Sequence, residues 1–413
     1  MKRILFLVFA VVPVLLDAQE MLRFSLETAP AGSPAPLFVP VPQAGFSRDG
    51  QRLALFVVSP QGEKEIPCQA EGGHIPGIWF FPSDKEGRRE YVLRMLPGPG
   101  VSQGALSLKR DDQATVILRM GKPLLAYNHA EVFPPEGVDA LFRRSAFIHP
   151  LFSPGGEPLT RIQPPDHYHH YGIWNPWTKT TVNGREIDFW NLAKGEGTVK
   201  FAGYLDAARG PVFAGFSLLQ EHVYFGERKR EHLAISEIWN IRAWDYPRGK
   251  LAVIDLTSTL NTPLVGGIML EAYRYGGGIG FRATEKWHRE NSSVLTSEGK
   301  VRADADGTNG RWCIVEGESA VPEGRSGILF LSHPSNRMHP EPMRVWPPDA
   351  NNGRGDLFFE FCPIRHEGWK LNPLENYTLR YRLVLFDGLM TPGEAEKHWQ
   401  AFANPPIAVL KNE

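Results

Sequence analysis

The stretch Leu251 to Leu260 reads Leu-Ala-Val-Ile-Asp-Leu-Thr-Ser-Thr-Leu, an apolar and β-branched run that becomes alternating towards its end. The stretch Tyr377 to Phe386 reads Tyr-Thr-Leu-Arg-Tyr-Arg-Leu-Val-Leu-Phe and alternates in its first half. Because successive side chains of a strand point to opposite faces, both patterns predict β-strands. Apolar runs at 53–58 and 114–120 indicate further strands, and Gly, Pro, Asn and Asp separate such runs throughout the chain.

These runs predict a mainly β protein, an antiparallel β-sandwich or supersandwich with few short helices. A parallel α/β fold is disfavoured because the predicted strands do not alternate with helices. The clearest helix is predicted over Thr391 to Ala403. Thr391 is a suitable N-cap, Pro392 suits the first helical position, and Glu394 completes a capping box.

The composition limits the classes of partner. The chain has 413 residues, a formal net charge of -1 and a pI of about 6.9. A nucleic-acid-binding protein would need a basic excess, so no nucleic-acid partner is predicted. The 11 Trp residues either pack a large β core or stack on the apolar face of a sugar. Three cysteines, Cys68, Cys313 and Cys362, are expected to be buried small hydrophobes, with one disulfide as the alternative.

Residues 1–18 have the pattern of a signal peptide. Lys2 and Arg3 precede an apolar run, and Ala18 offers a cleavage point. We therefore expect a periplasmic or extracellular protein. No later stretch reaches the roughly 20 apolar residues of a membrane span. The mature chain is expected to comprise an N-terminal β-sandwich portion, residues 19–120, and a β-supersandwich domain, residues 121–405, that carries the site.

The segment Asp166-His-Tyr-His-His170 places three His within four positions, between His149-Pro150 and Asp188-Phe-Trp190. On a strand, His167 and His169 would share one face and His170 would point away, whereas on a loop all three could converge. An imidazole can ligate a metal, accept a proton or bind a sugar hydroxyl. The alternative interpretation is a set of buried histidines that connects two loops.

A second segment runs from Glu271 to Arg282 and contains Tyr275 followed by three glycines. These glycines permit close approach of the backbone to a ligand, or they form an ordinary turn. Arg274 and Arg282 are suited to binding a carboxylate or sugar hydroxyls, and Glu271 is a candidate acid or base.

A third segment, Ser332 to Pro340, carries His333, Asn336 and His339 in a Pro-rich and irregular stretch, with Trp346 nearby. Loops of this kind on β scaffolds often carry binding groups. A structural role fits the same residues equally well.

Together the three segments resemble a bacterial family of unknown function that carries the label methane oxygenase PmoA. The resemblance covers roughly residues 120–405. The matching motifs are His149-Pro150-Leu151, Asp166 to Trp174, Asp188-Phe189-Trp190, Tyr275 to Arg282 with an extra Gly, His333-Pro334-Ser335-Asn336 with His339-Pro340, and Tyr381-Arg382-Leu383 with Asp387-Gly388. Tyr168 and Tyr171 stand where many members have Pro and Arg, which puts one anionic contact in doubt.

The resemblance implies a galactose-mutarotase-type β-supersandwich, a fold that hosts epimerases, lyases and glycoside-processing enzymes. A membrane methane monooxygenase subunit needs several membrane spans, and none is predicted here, so the methane label is not taken as the activity. The candidate catalytic residues are His149, Asp166, His167, His169, His170 and Glu271. The candidate substrate-binding residues are Trp174, Arg274, Tyr275, Arg282, His333, Asn336, His339 and Trp346.

Three functions fit these residues. The first is a carbohydrate-active enzyme, a hydrolase, lyase or epimerase; in a standard hydrolase Asp166 and Glu271 would face each other. The second is a non-catalytic carbohydrate-binding protein. The third is a metal-dependent oxidoreductase with a metal at the His cluster, although no cofactor is predicted. In the second function, the stacking residues would be Trp174, Trp177, Trp287 and Trp346.

Overall fold

The computed structural model describes residues 19–26, 35–41, 50–82, 89–99, 104–175, 177–246 and 250–411. The predicted signal peptide, residues 1–18, lies outside the described residues. The described chain is mainly β with antiparallel sheets and one α-helix, which confirms the predicted fold class.

The strands of the described residues are β1 (Gln19–Leu26), β2 (Leu37–Pro40), β3 (Gln51–Ser59), β4 (Gly62–Ile66), β5 (Cys68–Glu71), β6 (Gly77–Phe80), β7 (Arg89–Pro97), β8 (Leu106–Arg110), β9 (Ala114–Arg119), β10 (Lys122–Asn128), β11 (Phe147–Leu151), β12 (Ile173–Trp174), β13 (Thr180–Val182), β14 (Arg185–Ile187), β15 (Gly197–Arg209), β16 (Phe213–Phe225), β17 (Glu231–Trp244), β18 (Leu251–Asn261), β19 (Ile268–Leu270), β20 (Ile279–Arg282), β21 (Ser292–Thr296), β22 (Asn309–Gly310), β23 (Trp312–Glu318), β24 (Arg325–Ser332), β25 (Glu341–Val345), β26 (Phe358–Phe361), β27 (Trp369–Leu371), β28 (Tyr377–Asp387) and β29 (Ala408–Leu410). The helical segments are short 3-10 turns at Ala140–Phe142, Leu192–Lys194 and Glu227–Lys229, and the α-helix α1 at Pro392–Ala403.

Two large sheets form the main body. One has eight strands in the order β15-β16-β17-β18-β28-β24-β23-β21, and the other has nine in the order β22-β25-β26-β20-β12-β11-β10-β9-β8. The two opening stretches of sequence are β18 and β28, and they pair directly, from Leu251 with Phe386 to Leu260 with Tyr377. The alternating pattern therefore marks two adjacent central strands of the eight-stranded sheet.

The inner faces of these sheets enclose one apolar core. Phe330 of β24 packs against Phe281 of β20 and Phe359 of β26, with ring centroids 5.3 and 4.8 Å apart. Full burial of an aromatic side chain of this size contributes about 1.5–3 kcal/mol to folding. The contact joins the eight-stranded sheet to the nine-stranded one, as a sandwich requires.

Helix α1 begins as predicted. Thr391 Oγ1 accepts from the Glu394 backbone N–H at 3.2 Å, and Glu394 Oε2 accepts from the Thr391 N–H at 2.9 Å. This capping box satisfies backbone donors that have no partner within the helix. Ala395 and Trp399 form the buried face of α1.

Smaller sheets complete the molecule. Strands β29-β1-β7-β3-β4 form one sheet and β2-β6-β5 another, around a separate core that includes Phe24, Leu55 and Tyr91. Strands β14-β13-β19-β27 form a further sheet. Strands β8 and β9 precede residue 120 but pair within the nine-stranded sheet, and the domain division at that residue stays a prediction.

The cysteines and several tryptophans are buried. All three cysteines are buried and unpaired, as expected. Trp174, Trp177 and Trp287 are fully buried, which favours the core-packing interpretation of these three indoles over stacking on a sugar. Among the described residues, no helix has the length and apolarity needed to cross a membrane.

Candidate functional site

Four neighbouring strands of the nine-stranded sheet have one of their ends on the same side of the sheet, called here the sheet edge. The residues there are Ile173 at the start of β12, Arg282 at the end of β20, Phe358 at the start of β26 and Val345 at the end of β25. Because neighbouring strands are antiparallel, the start of one lies beside the end of the next. The segment 166–170, just before β12, and Trp346, just after β25, are thereby brought together.

The His segment is a loop of consecutive turns. The His167 N–H donates to Pro164 O at 2.9 Å, the His170 N–H donates to His167 O at 3.0 Å, and the Gln163 N–H donates to His170 O at 2.8 Å. The rings of His167, His169 and His170 converge, with centroids 4.7 to 5.3 Å apart. Of the two arrangements considered from the sequence, the loop is the one observed.

Asp166 connects the cluster to the sheet edge. Its Oδ2 accepts from His167 Nδ1 at 2.8 Å and from Arg282 Nη2 at 2.7 Å. Burial opposes ionisation of Asp166, but the His167 hydrogen bond and the charges of Arg282 and Arg161 outweigh it and hold the pKa of this carboxyl below its usual range. With Nδ1 bound to the carboxylate, Nε2 is the ring nitrogen of His167 that makes no hydrogen bond among the described residues, and the side chain is 36% exposed.

A second carboxylate, Asp356, completes the charge network. Asp356 is buried, and it lies 3.2 Å from Arg282 Nη2 and 3.0 Å from Arg161 Nη2, with Arg354 also in contact. Burial lowers the pKa of Arg282 to about 9. Arg161 and Asp356 were absent from the sequence candidates, because no local pattern sets them apart from the other charged residues of the chain.

The other two imidazoles are held neutral. Burial lowers the pKa of His169 to about 4, and burial with the nearby Arg282 charge lowers the pKa of His170 well below its ordinary value. Arg282 Nη1 lies 3.4 Å from His170 Nδ1, a long contact in which the guanidinium donates. At neutral pH these rings can therefore donate or accept hydrogen bonds but carry no charge.

Aromatic rings surround the cluster. The His170 ring lies 5.2 Å from Trp174, 5.8 Å from Trp190 and 5.1 Å from Phe358, measured between centroids. Trp346 packs 4.9 Å from His167 and lies under the Arg282 guanidinium at 4.6 Å. Trp190 stands in the Asp-Phe-Trp motif of the sequence analysis, and that motif was the available signal for it.

Tyr275 borders this cluster, and His149 lies close by. The half-buried Tyr275 ring meets Trp190 edge-on at 4.9 Å, and burial followed by a hydrogen bond with Tyr273 raises the pKa of Tyr275 to about 12. His149 Nδ1 bonds to Thr160 Oγ1 at 2.9 Å, and burial lowers its pKa to about 4. A Cβ on Gly172 would lie 2.3 Å from Ile148 O, so only glycine permits this approach of the loop to β11.

The remainder of the second segment lies elsewhere. Glu271 Oε1 accepts from Thr181 Oγ1 of β13 at 2.6 Å, and no contact among the described residues joins it to Asp166. Arg274 is exposed and lies over Tyr275 at 5.4 Å. A Cβ on Gly278 would fall 1.9 Å from Phe361 O, so this glycine serves backbone packing.

The third segment lies at the opposite end of β25. Asn336 Nδ2 donates to Glu341 Oε2 at 3.0 Å, and His339 stacks on Trp399 of α1 at 5.9 Å. His333 Nδ1 bonds to Ser335 Oγ at 2.8 Å. Glu341 begins β25 and Trp346 follows its end, so five residues of extended chain, about 16 Å, separate this segment from the His cluster.

A metal at the His cluster was tested against these contacts. One ring nitrogen from each of His167, His169 and His170 lies within 4.8 Å of the others. His167 is suited to ligation because Asp166 orients it. His170 is not suited, because its Nδ1 lone pair faces Arg282 and its Nε2 then carries the proton. Metal–nitrogen bonds of about 2.0–2.1 Å would also need closer nitrogens. The three imidazoles in this arrangement do not fit a metal centre.

Comparison with solved structures finds similar proteins of low identity. A putative mutarotase (YeaD) from Salmonella typhimurium is 10% identical, with 68% of this chain and 94% of that chain covered and a TM-score of 0.33. A putative aldose 1-epimerase from Escherichia coli K12 is 13% identical, with 69% and 98% covered and a TM-score of 0.28. Because both TM-scores lie below 0.5, these likenesses do not identify a substrate or a reaction for this chain.

No curated protein matches the chain. A family model does match residues 114–400, under the description DUF6807, family of unknown function. Neither this description nor the structures above carry the label methane oxygenase PmoA, which stays unconfirmed. Because the match spans more than half of the sequence and includes the whole His cluster, the chain belongs to the DUF6807 family.

Proposed function

We propose that this protein binds a carbohydrate at the His cluster and processes it by proton transfer, with His167 as the group that takes the proton. The observation that carries the proposal is the shared Asp166 oxygen, 2.8 Å from His167 Nδ1 and 2.7 Å from Arg282 Nη2. A carboxylate that holds one imidazole nitrogen orients the ring and stabilises the imidazolium that forms when the other nitrogen takes a proton. Arg282 fixes that carboxylate in turn.

The surroundings of His167 suit a sugar. Neutral imidazoles such as His169 can bond to hydroxyl groups as donor or acceptor, and aromatic rings such as Tyr275 can pack on the apolar face of a pyranose. Hydrolysis, elimination and epimerisation all require a proton acceptor. The proton is assigned to His167 and not to a carboxylate, because the Asp166 oxygen is already paired with Arg282. Glu271 bonds to Thr181 of β13, which belongs to a different sheet.

The test is turnover of an oligosaccharide panel by the wild type and by His167→Gln. Loss of a general base lowers kcat by about 10²–10⁴-fold. His288→Gln is the matched control, because His288 also bonds a carboxylate, Glu290, at 2.7 Å and its side chain is likewise 36% exposed. The control should keep full activity.

A panel with neither turnover nor binding would refute the proposal, as would full activity in His167→Gln. Binding without turnover would identify a carbohydrate-binding protein, the second function considered from the sequence. We also propose that the protein acts in the periplasm or outside the cell, on the support of the signal-peptide pattern at 1–18. N-terminal sequencing of the secreted protein tests this, with Gln19 expected as the first residue.

A further inference from the structure

Two buried hydrogen-bond donors beside the His cluster have no partner. Trp174 and Trp190 are only 0% and 3% exposed, and the indole Nε1 of each has no acceptor among the described residues. Their rings lie 5.6 Å apart, and both pack against His170. Buried polar groups in folded proteins almost always have a hydrogen-bond partner, so these two donors are available to an acceptor from outside the chain, a water or a ligand.

The buried Arg282 beside them also has an N–H group without an acceptor in the part of the chain that the structure describes. Arg282 is fully buried, and its Nε has no acceptor among the described residues. Its Nη groups contact Asp166, Asp356 and His170. Arginine presents five N–H donors in a planar fork, so the free edge of this guanidinium remains suited to a carboxylate or a similar oxyanion.

The charged groups at the cluster are paired with one another. Three guanidinium groups, those of Arg161, Arg282 and Arg354, face two carboxylates, Asp166 and Asp356. The nearby Asp188 is paired with Lys194 at 2.9 Å and leaves the balance unchanged. Glu285 interacts electrostatically with Arg161 as a further anion, so the charges balance, and Asp166, Asp356 and Asp188 each already contact a cation. An incoming anion would therefore depend on the unpartnered N–H donors.

We infer that the Trp174, Trp190 and Arg282 donors bind an anionic group of the substrate, so that the ligand is an acidic carbohydrate. This inference rests on the proposed function and adds the substrate class to it. Carboxylate and sulfate oxygens share the required chemistry, since both accept hydrogen bonds from N–H donors and pair with guanidinium. A uronic acid and a sulfated sugar are the two sources of such a group.

The experiment is calorimetric titration of the full chain with oligosaccharides of glucuronic or galacturonic acid, with sulfated oligosaccharides, and with their neutral counterparts. Trp190→Phe keeps an aromatic ring and removes one donor. We expect about a tenfold loss of affinity for the acidic ligand that binds, because a hydrogen bond to a charged group is lost. Affinity for a neutral sugar should not change.

Trp177→Phe is the matched control. Trp177 is also fully buried with an unpartnered Nε1, but it packs on Trp369 in the main core. The control should therefore bind as the wild type does. Trp174→Phe is a second test variant if Trp190→Phe does not fold.

The outcomes separate the two proposals. The inference is supported if the wild type binds acidic oligosaccharides more tightly than neutral ones and Trp190→Phe reduces that difference. The ligand that binds then shows whether the anionic group is a carboxylate or a sulfate. Equal affinity for acidic and neutral sugars overturns the inference and leaves the proposed function standing. If acetate or sulfate ions bind but none of the sugars does, the proposed function is refuted and the anion-binding site is still supported. Stoichiometric Zn²⁺ binding that competes with the acidic ligand overturns the inference, because the cluster would then favour a cation.

Discussion

The two ends of the nine-stranded sheet carry similar residues and use them differently. At one end lie His167, His169 and His170, next to indole donors that have no acceptor among the described residues. At the other end, both the Nδ2 and the Oδ1 of Asn336 have hydrogen-bond partners. Its Nδ2 donates to Glu341 at 3.0 Å and to the Arg380 carbonyl at 2.9 Å, and its Oδ1 accepts from the Arg380 N–H at 2.7 Å.

The difference shows how a binding site can be told from a structural connection. Both ends are rich in His and aromatic residues, so composition does not separate them. Particular hydrogen bonds do: Asn336 is satisfied within the chain, whereas the Trp174 and Trp190 indoles beside the His cluster have no acceptor among the described residues. We therefore expect substitutions at the His-cluster end to alter ligand binding, and substitutions near Glu341 to alter stability alone.

The largest expected effect is that of Arg282→Leu. This change removes the buried guanidinium that pairs with both Asp166 and Asp356 and leaves Arg161 as their remaining shared cation, and breaking a buried ion pair costs about 3–5 kcal/mol. Urea denaturation should show a loss of that size in the free energy of unfolding, together with loss of ligand binding. Arg380→Leu at the other end removes an exposed guanidinium and should cost under about 1 kcal/mol. Equal urea denaturation midpoints for Arg282→Leu and Arg380→Leu would contradict the expected difference between the two ends of the sheet.

The next effect is a pH dependence set by Glu341. Burial raises the pKa of Glu341 from 4.5 to about 7, against the opposing hydrogen bonds from Ser332, Asn336 and Tyr381. A carboxyl with a raised folded-state pKa stabilises most below about pH 4.5, and this contribution is lost as the pH rises towards 7. The shift corresponds to about 3 kcal/mol.

Unfolding free energies measured from pH 4.5 to 8 for the wild type and Glu341→Gln test this. The wild type should lose stability relative to the variant across that range, while ligand affinity at the distant His cluster should be the same in both proteins at each pH. Parallel stability curves would show that Glu341 does not titrate as expected.

The smallest expected effect compares one His from each end. His339→Ala removes a stacked contact with Trp399, at 5.9 Å and 5° between the rings, and should cost about 1 kcal/mol of stability without changing ligand binding. His169→Ala should weaken sugar binding about tenfold, because a neutral imidazole that meets a hydroxyl is lost. Thermal unfolding and calorimetric titration of both variants measure the contrast. The division fails if His339→Ala weakens ligand binding as much as His169→Ala does.

Local patterns predicted the local structure well. The alternation at 251–260 and 377–386 predicted two strands, and the Thr391 and Glu394 pair predicted the start of α1; both are observed. These features depend on side-chain period and capping, which act over a few residues. The crowding of His at 166–170 was visible for the same reason.

What the sequence by itself determined is the β class, the capped helix and the position of the His cluster, because each depends on neighbouring residues. Only the tertiary structure decided which distant residues join that cluster. Antiparallel pairing places Arg282, Trp346 and Phe358 at one edge of the sheet, although they are more than 100 residues from His170 in sequence. The same pairing places Gly278 and Glu341 at the opposite edge, because even a strand of four or five residues spans about 13–16 Å.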